Sequence, residues 1–216
     1  MTAKERLVEA AFSLFAERGY DQTTVDDITE RAGVGRTTFF RTFRAKEDVI
    51  FPDHEVLLQA IEARLGGATE QTALLAVTEG ARLVLRHYLA EGERARTRYR
   101  LTRSVPALRD REIAGVQQYQ RLFRGFLHDW MGGGEDTALR AELMAGAVVT
   151  AHNHVLRRWL SGRADDPLRE FDAAMAETVG LFTAAGEDEA SIVVFRTKKD
   201  LNALLPELNR VLGRNP

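Results

Sequence analysis

Residues 31–46 hold Arg31, Arg36, Arg41, Arg44 and Lys46 and no acidic side chain. The 216-residue chain as a whole is balanced, with 30 Lys and Arg against 32 Asp and Glu and a formal charge of -2, so attraction to a polyanion has to come from a local patch. The residue types suit a double helix. Arg36 can hydrogen-bond guanine, and Thr37 and Thr38 each offer a hydroxyl and a methyl for contact with thymine. Thr24 and Lys46 stand where flanking helices begin, positions at which backbone N–H groups and a cation meet phosphate. On charge alone, a solvated face explains the same cations.

The elements around the patch separate these readings. Thr2 and Glu5 have capping-box spacing ahead of a first helix that sets Leu7, Ala11, Leu14 and Phe15 on one face and stops at Gly19. Thr24 precedes a short second helix carrying Val25, Ile28 and Ala32, with Asp26 and Asp27 where the helix dipole favours them and Gly33 at its end. A third short helix runs from Arg36 to Phe43. Its Phe39 and Phe43 face the core one turn apart, and Phe40, rotated about 100°, faces outward. Two short helices joined by a Gly-containing turn predict a helix-turn-helix, whose second helix enters the major groove while its neighbours fix register on phosphates. A fourth helix is expected from Lys46 and Glu47 through Val49, Ile50, Val56, Leu57, Ile61 and Leu65, with Pro52 starting or kinking it.

The stretch Thr23-Thr24-Val25-Asp26-Asp27-Ile28, then Ala32-Gly33-Val34-Gly35-Arg36-Thr37-Thr38-Phe39-Phe40-Arg41-Thr42-Phe43, then Lys46-Glu47, strongly resembles the N-terminal domain of TetR/AcrR-family transcriptional regulators over about residues 5–50. The resemblance implies an all-helical homodimer, usually a repressor, whose C-terminal domain binds a small molecule that lowers operator affinity. It places Arg36, Thr37, Thr38, Phe40, Arg41, Thr42 and Lys46 toward DNA and Thr24 at a phosphate. Two positions depart from the family pattern: Gly35 stands where Ser or Thr commonly caps the third helix, and Phe40 where Tyr commonly offers a hydroxyl to phosphate. The contact of Phe40 would therefore be apolar.

Longer helices are expected over 69–90, 94–102, 106–131, 137–160 and 167–185, with loops at 132–134 and 161–167. The resulting fold class is all-α. A three-helix helix-turn-helix domain occupies 1–48, a helical-bundle ligand-binding and dimerisation domain 49–186, and an extension 187–216. In that extension Ile192, Val193, Val194 and Phe195 suggest a short strand, and Leu201, Leu204, Leu205, Leu208 and Val211 an amphipathic helix. The small residues of 144–151 and the apolar face Leu168, Phe171, Met175, Thr178 and Phe182 suit two helices that pair with their symmetry copies as a four-helix bundle. A twofold dimer predicts a palindromic operator on double-stranded DNA.

Val116, Tyr119, Phe123, Phe126 and Trp130 recur at three and four. They pack a core, or they line an apolar cavity whose polar groups are drawn from Tyr88, Tyr119, His152 and Asn153. Candidate effector contacts are thus Tyr88, Tyr119, Phe123, Trp130, His152 and Asn153. Arg100 and Arg103 join them as a rim for an anionic ligand if the run Arg94, Arg96, Arg98, Arg100 and Arg103 is not simply solvated. His152 and His154 point about 200° apart on a helix and cannot share a metal. The chain has no cysteine, so thiol catalysis, thiolate metal sites and disulfides are excluded. No catalytic or phosphate-cradling motif occurs, and no cofactor is expected. The start of the chain lacks an apolar signal core, and no uncharged run approaches the length of a bilayer span, so a soluble cytoplasmic protein without a membrane partner is expected. The function expected is a ligand-responsive DNA-binding regulator, most simply a repressor released by a small apolar or amphipathic molecule that tilts the fourth helix. An all-α small-molecule binding protein without DNA-regulatory activity is the alternative, and an all-α enzyme the third.

Overall fold

The computed structural model describes residues 1–183, and residues 1–182 form one compact unit. All regular structure among the described residues is helical. The expected strand and helix of 187–216 lie outside them.

Helix α1 (Ala3–Arg18) starts on a reciprocal cap: the Thr2 hydroxyl accepts from the Glu5 backbone N–H while the Glu5 carboxylate accepts from that of Thr2. Helix α2 (Val25–Ala32) repeats the device with Thr24 and Asp27 and ends at Gly33, whose φ of 63° is left-handed backbone that glycine adopts without strain. Helix α3 (Arg36–Thr42) has seven residues and no side-chain cap, too little to stand alone in water. Packing holds it. Phe39 is fully buried and Phe43 nearly so, against Leu7, Phe15, Tyr20 and Ile28. Val49, Ile50 and Leu108 belong to the same core, which thus extends beyond residue 48 and is closed by a residue from much later in the chain.

Of the two expected starts, the fourth helix takes the later, just after Pro52. Residues Lys46–Val49 make a single 3-10 turn, with the Asp48 carboxylate accepting from the Arg44 and Ala45 N–H groups, and α4 (His54–Gly66) begins only after Asp53, which caps the Val56 N–H. Proline is the reason. In a helix interior its ring would meet the carbonyl of residue 48 and offer no donor, and it pushes Phe51 out of helical conformation.

Helices α5 (Ala73–Glu91), α6 (Glu93–Ser104), α7 (Pro106–Trp130), α8 (Glu135–Leu160) and α9 (Pro167–Thr183) complete a second core with α4. Its fully buried members include Ile61, Leu85, Phe123, Leu127, Met144, Phe171 and Met175. Gly80 lets α5 approach: a Cβ there would lie 3.0 Å from Ile61 and 3.2 Å from the Phe123 ring. Among the described residues no helix is long and apolar enough to cross a membrane.

Candidate nucleic-acid interface and ligand cavity

The side of α3 opposite Phe39 presents Arg36, Thr37, Phe40 and Arg41 to solvent, with Thr38 half-buried. Arg36 bonds Asp26 at 2.5 Å and lies over the Phe40 ring, 5.4 Å from its centroid. Both charges are more than 60 % exposed, so the pair is weak in water and can give way to a phosphate or a base edge. Thr42 spends its hydroxyl hydrogen on the Thr38 carbonyl, and that of Thr24 goes to Asp27.

Two cations of the basic run have other occupations. Lys46 donates to the carbonyls of Tyr20 and Thr23 at 2.9 and 2.8 Å and sits over the Tyr20 ring, and burial lowers its pKa. It ties down the loop that leads into α2, leaving one of its three donors for DNA. Arg31 forms a two-pronged bond with Glu17 at 2.8 Å. Arg36, Arg41 and Arg44 are the exposed cations left to form the patch.

In the second core, a small, mostly apolar cavity of about 60 Å³ lies between α4, α5, α7 and α8. Tyr88, Tyr119, Phe123, His152 and Asn153 line it, as do Phe51, His54 and Glu112, which sequence reasoning missed. Trp130, Arg100 and Arg103 do not. The Trp130 indole donates to the Glu70 carbonyl, Arg100 pairs with Glu93 at 3.0 Å, and Arg103 stacks on Tyr99. Successive turns of α6 carry these arginines to its exposed side, so no cationic rim forms. Arg98 departs from the run in the opposite sense. It is 2 % exposed, grips Glu91 with two bonds of 2.7 Å, and donates to the carbonyl of Ile50 in the first core.

Burial sets the chemistry of the cavity. It pushes His54 down to about 4, helped by the Arg98 guanidinium, and His152 likewise to about 4, so both imidazoles are neutral at physiological pH. The Nδ1 of His54 lies 2.7 Å from the Tyr119 hydroxyl, and its Nε2 edge fits against Gly115, where a Cβ would come within 2.9 Å. The Nδ1 of His152 bonds the side-chain amide oxygen of Asn153 at 3.1 Å, and its Nε2 is buried without a partner. Burial also raises Tyr88 and Tyr119, keeping their hydroxyls protonated, and raises Glu112. No Lys or Arg lines the space. Phe51 and His54 are shared with a second, open cleft that also touches Thr42, Phe43, Arg44 and Asp48, so the residues entering α4 border both the cavity and the helix-turn-helix.

A signal for the missed residues was present in part. Gly115 stands one turn before Tyr119 on the same side of α7, a hint that another side chain approaches there, and Glu91 and Arg98 are seven apart on adjacent helices. Neither names His54, which arrives from a distant segment.

Comparison with known proteins agrees with this architecture. Residues 7–51 match the family described as bacterial regulatory proteins, tetR family. MftR of Mycobacterium tuberculosis, a transcriptional regulator assigned to mycofactocin biosynthesis, is 25% identical over 161 residues, covering 72% of this chain and 81% of its own. The HTH-type transcriptional regulator TcmR of Streptomyces glaucescens is 37% identical over 75 residues, 33% of either chain. Among solved structures, that of SmeT in complex with triclosan superposes with a TM-score of 0.61 at 18% identity, covering 92% of this chain and 100% of that one. The helix-turn-helix built on Phe39 and Phe43 thus falls within the residues that match the tetR family of bacterial regulatory proteins, and the described chain is similar in sequence and fold to transcriptional regulators of that kind.

Proposed function

We propose that this regulator is a homodimeric repressor that binds a palindromic operator through α3 and leaves it when a small uncharged or amphipathic molecule enters the cavity between α4, α5, α7 and α8. The observation that carries the reading is the double position of Phe51 and His54, which wall the cavity on one side and the cleft against the helix-turn-helix on the other. A guest that displaces His54 displaces the start of α4 and, through Ile50 and Val49, the core that holds α3. The mobile unit is α4 from His54 onward, hinged at residues 50–53. Coupling requires that the guest prefer the arrangement unable to bind DNA.

Dimerisation is supported by the outer faces of α8 and α9. Leu139 is 67% exposed, Leu143 56% and Leu181 71%, apolar surface that a second copy would cover by bundling four helices about a twofold axis. SmeT was solved with a small molecule bound, which supports the same role for a cavity in this fold. Fluorescence anisotropy on DNA flanking the protein's own gene tests the reading. A specific, salt-sensitive complex is expected, weakened by Arg36→Ala and Thr38→Ala. Binding that is unchanged in both variants would refute the role of α3.

A further inference from the structure

We infer that the effector is an uncharged molecule with a flat apolar ring system that donates one hydroxyl hydrogen to Nε2 of His152. This rests on the cavity being the effector site.

His152 is 7 % exposed and lies on the cavity wall. Its Nδ1 meets the side-chain amide oxygen of Asn153, which only accepts, so Nδ1 carries the proton and Nε2 is a bare lone pair. That nitrogen is buried and has no partner. The ring cannot easily turn to find one, because it also stands edge-on to Phe171, 6.3 Å away at 83°. An unpartnered buried acceptor on a residue that lines the cavity favours a guest that brings a donor to it as the wall adjusts.

Charge narrows the class further. No cationic side chain lines the space, and the carboxyl of Glu112 does, so a carboxylate or phosphate guest would enter without a counter-charge and beside another acid. A cationic guest gains less from Glu112 than from a solvated acid, because burial disfavours the charged form of its carboxyl. Most of the remaining wall is aromatic and aliphatic, with Tyr88, Tyr119, Phe123, Val84, Val149 and Leu156 among its residues. A hydroxylated aromatic suits the apolar wall and the unpartnered nitrogen of His152.

Four naphthalene derivatives of nearly one size test the inference by calorimetry at neutral pH: 2-naphthol, its methyl ether, 2-naphthoate and 2-naphthylmethylammonium. The naphthol should bind about tenfold tighter than the ether, which lacks the donor, and tighter than both ions. In His152→Phe, which keeps ring volume and loses the lone pair, naphthol and ether should bind equally. His152→Gln, whose carbonyl oxygen still accepts, should restore part of the preference. The naphthol and ether comparison in the unmodified protein stands even if a variant fails to fold. Equal binding of naphthol and ether, tighter binding of either ion, or a preference that survives His152→Phe would overturn the inference, and so would binding of none of the four. Operator release, read on the same complexes by gel shift, separates the two levels. Tight, donor-selective binding without release sinks the effector role and leaves the ligand chemistry standing, whereas release by the ether or the naphthoate at concentrations no higher than the naphthol requires does the reverse.

Discussion

Replacing Arg98 by Met should destabilise the protein far more than removal of a surface arginine. The Arg98 side chain is 3% exposed and that of Glu91 20%, and the guanidinium bonds both Glu91 oxygens at 2.7 Å as well as the carbonyl of Ile50. Methionine keeps much of the stem and removes all three bonds. Breaking one side of a buried ion pair costs about 3–5 kcal/mol, and an orphaned buried carbonyl costs about 1–3. Partial solvent access of Glu91, and a neighbouring His87 nitrogen 3.8 Å away, keep the sum near the lower end, at about 4 kcal/mol. For a chain of this size that lowers Tm by roughly 8–16 °C. Thermal melts at a fixed protomer concentration would be compared for Arg98→Met, Glu91→Leu and the double variant, since dimer stability depends on concentration. The double variant should recover most of the loss, because no charge is then left unpaired and only the Ile50 bond is missing. An Arg98→Met protein that melts within about 2 °C of the unmodified one, or a double variant no better than the worse single one, would refute this account of the pair.

Further expectations follow from the two surfaces and the histidines. Phe40→Tyr adds a hydroxyl to a side chain that is 46% exposed on the DNA-facing side of α3, and operator affinity measured by anisotropy should rise about 2- to 10-fold; unchanged or weaker binding would place Phe40 away from the backbone. Leu143→Arg puts a charge in the apolar strip shared with Leu139, so sedimentation should show monomers that keep their helical circular dichroism and lose operator binding; a dimer that persists would move the interface elsewhere. His54 and His152 are held near 4 in the folded chain against an ordinary value of 6.5, so the unfolded chain binds more protons between those values and stability falls as pH drops through that window, by up to about 1.4 kcal/mol per pH unit for each. Glu112, held above the usual carboxylate range by burial, acts in the opposite sense, so the difference between the unmodified protein and His152→Phe in urea melts isolates the histidine; identical pH slopes would show that His152 is not buried in neutral form.

The parts legible in the sequence are those fixed by short-range physics. The caps at Thr2 and Thr24, the glycine stops at 19 and 33, and the inward Phe39 and Phe43 with outward Phe40 all follow from spacing within one or two turns. Composition could not tell Arg98 from Arg100. Both sit on a helix crowded with cations, and only the arrival of Ile50 and Glu91 from other elements makes one a buried cross-brace and leaves the other in solvent. Lys46 shows the same limit from the opposite side. Its charge suggested phosphate, but two backbone carbonyls of the loop before α2 occupy it first. His54 needed both the proline that delays α4 and the missing Cβ at Gly115, and these belong to segments about sixty residues apart.

The placement of Ile50 bears on how strongly a guest can act. To drive a population from mostly competent to mostly incompetent for DNA, a ligand must prefer the second state by about 5.5 kcal/mol, and one hydrogen bond to an imidazole supplies only a fraction of that. The rest has to come from contacts that differ between the two arrangements of the protein. Arg98 is suited to this because it joins the two cores at a single side chain: its guanidinium holds Ile50 of the first core and lies 5.2 Å from the ring centroid of Tyr88, which lines the cavity. A guest that shifts Tyr88 or His54 works against a buried charge pair whose geometry has little tolerance, so the cost of intermediate positions is high and the two ends of the motion are favoured over its middle. A steep, two-state response is therefore built from the brace, and loosening it by the double Arg98→Met, Glu91→Leu change should leave operator binding intact while making release by a cavity ligand shallower.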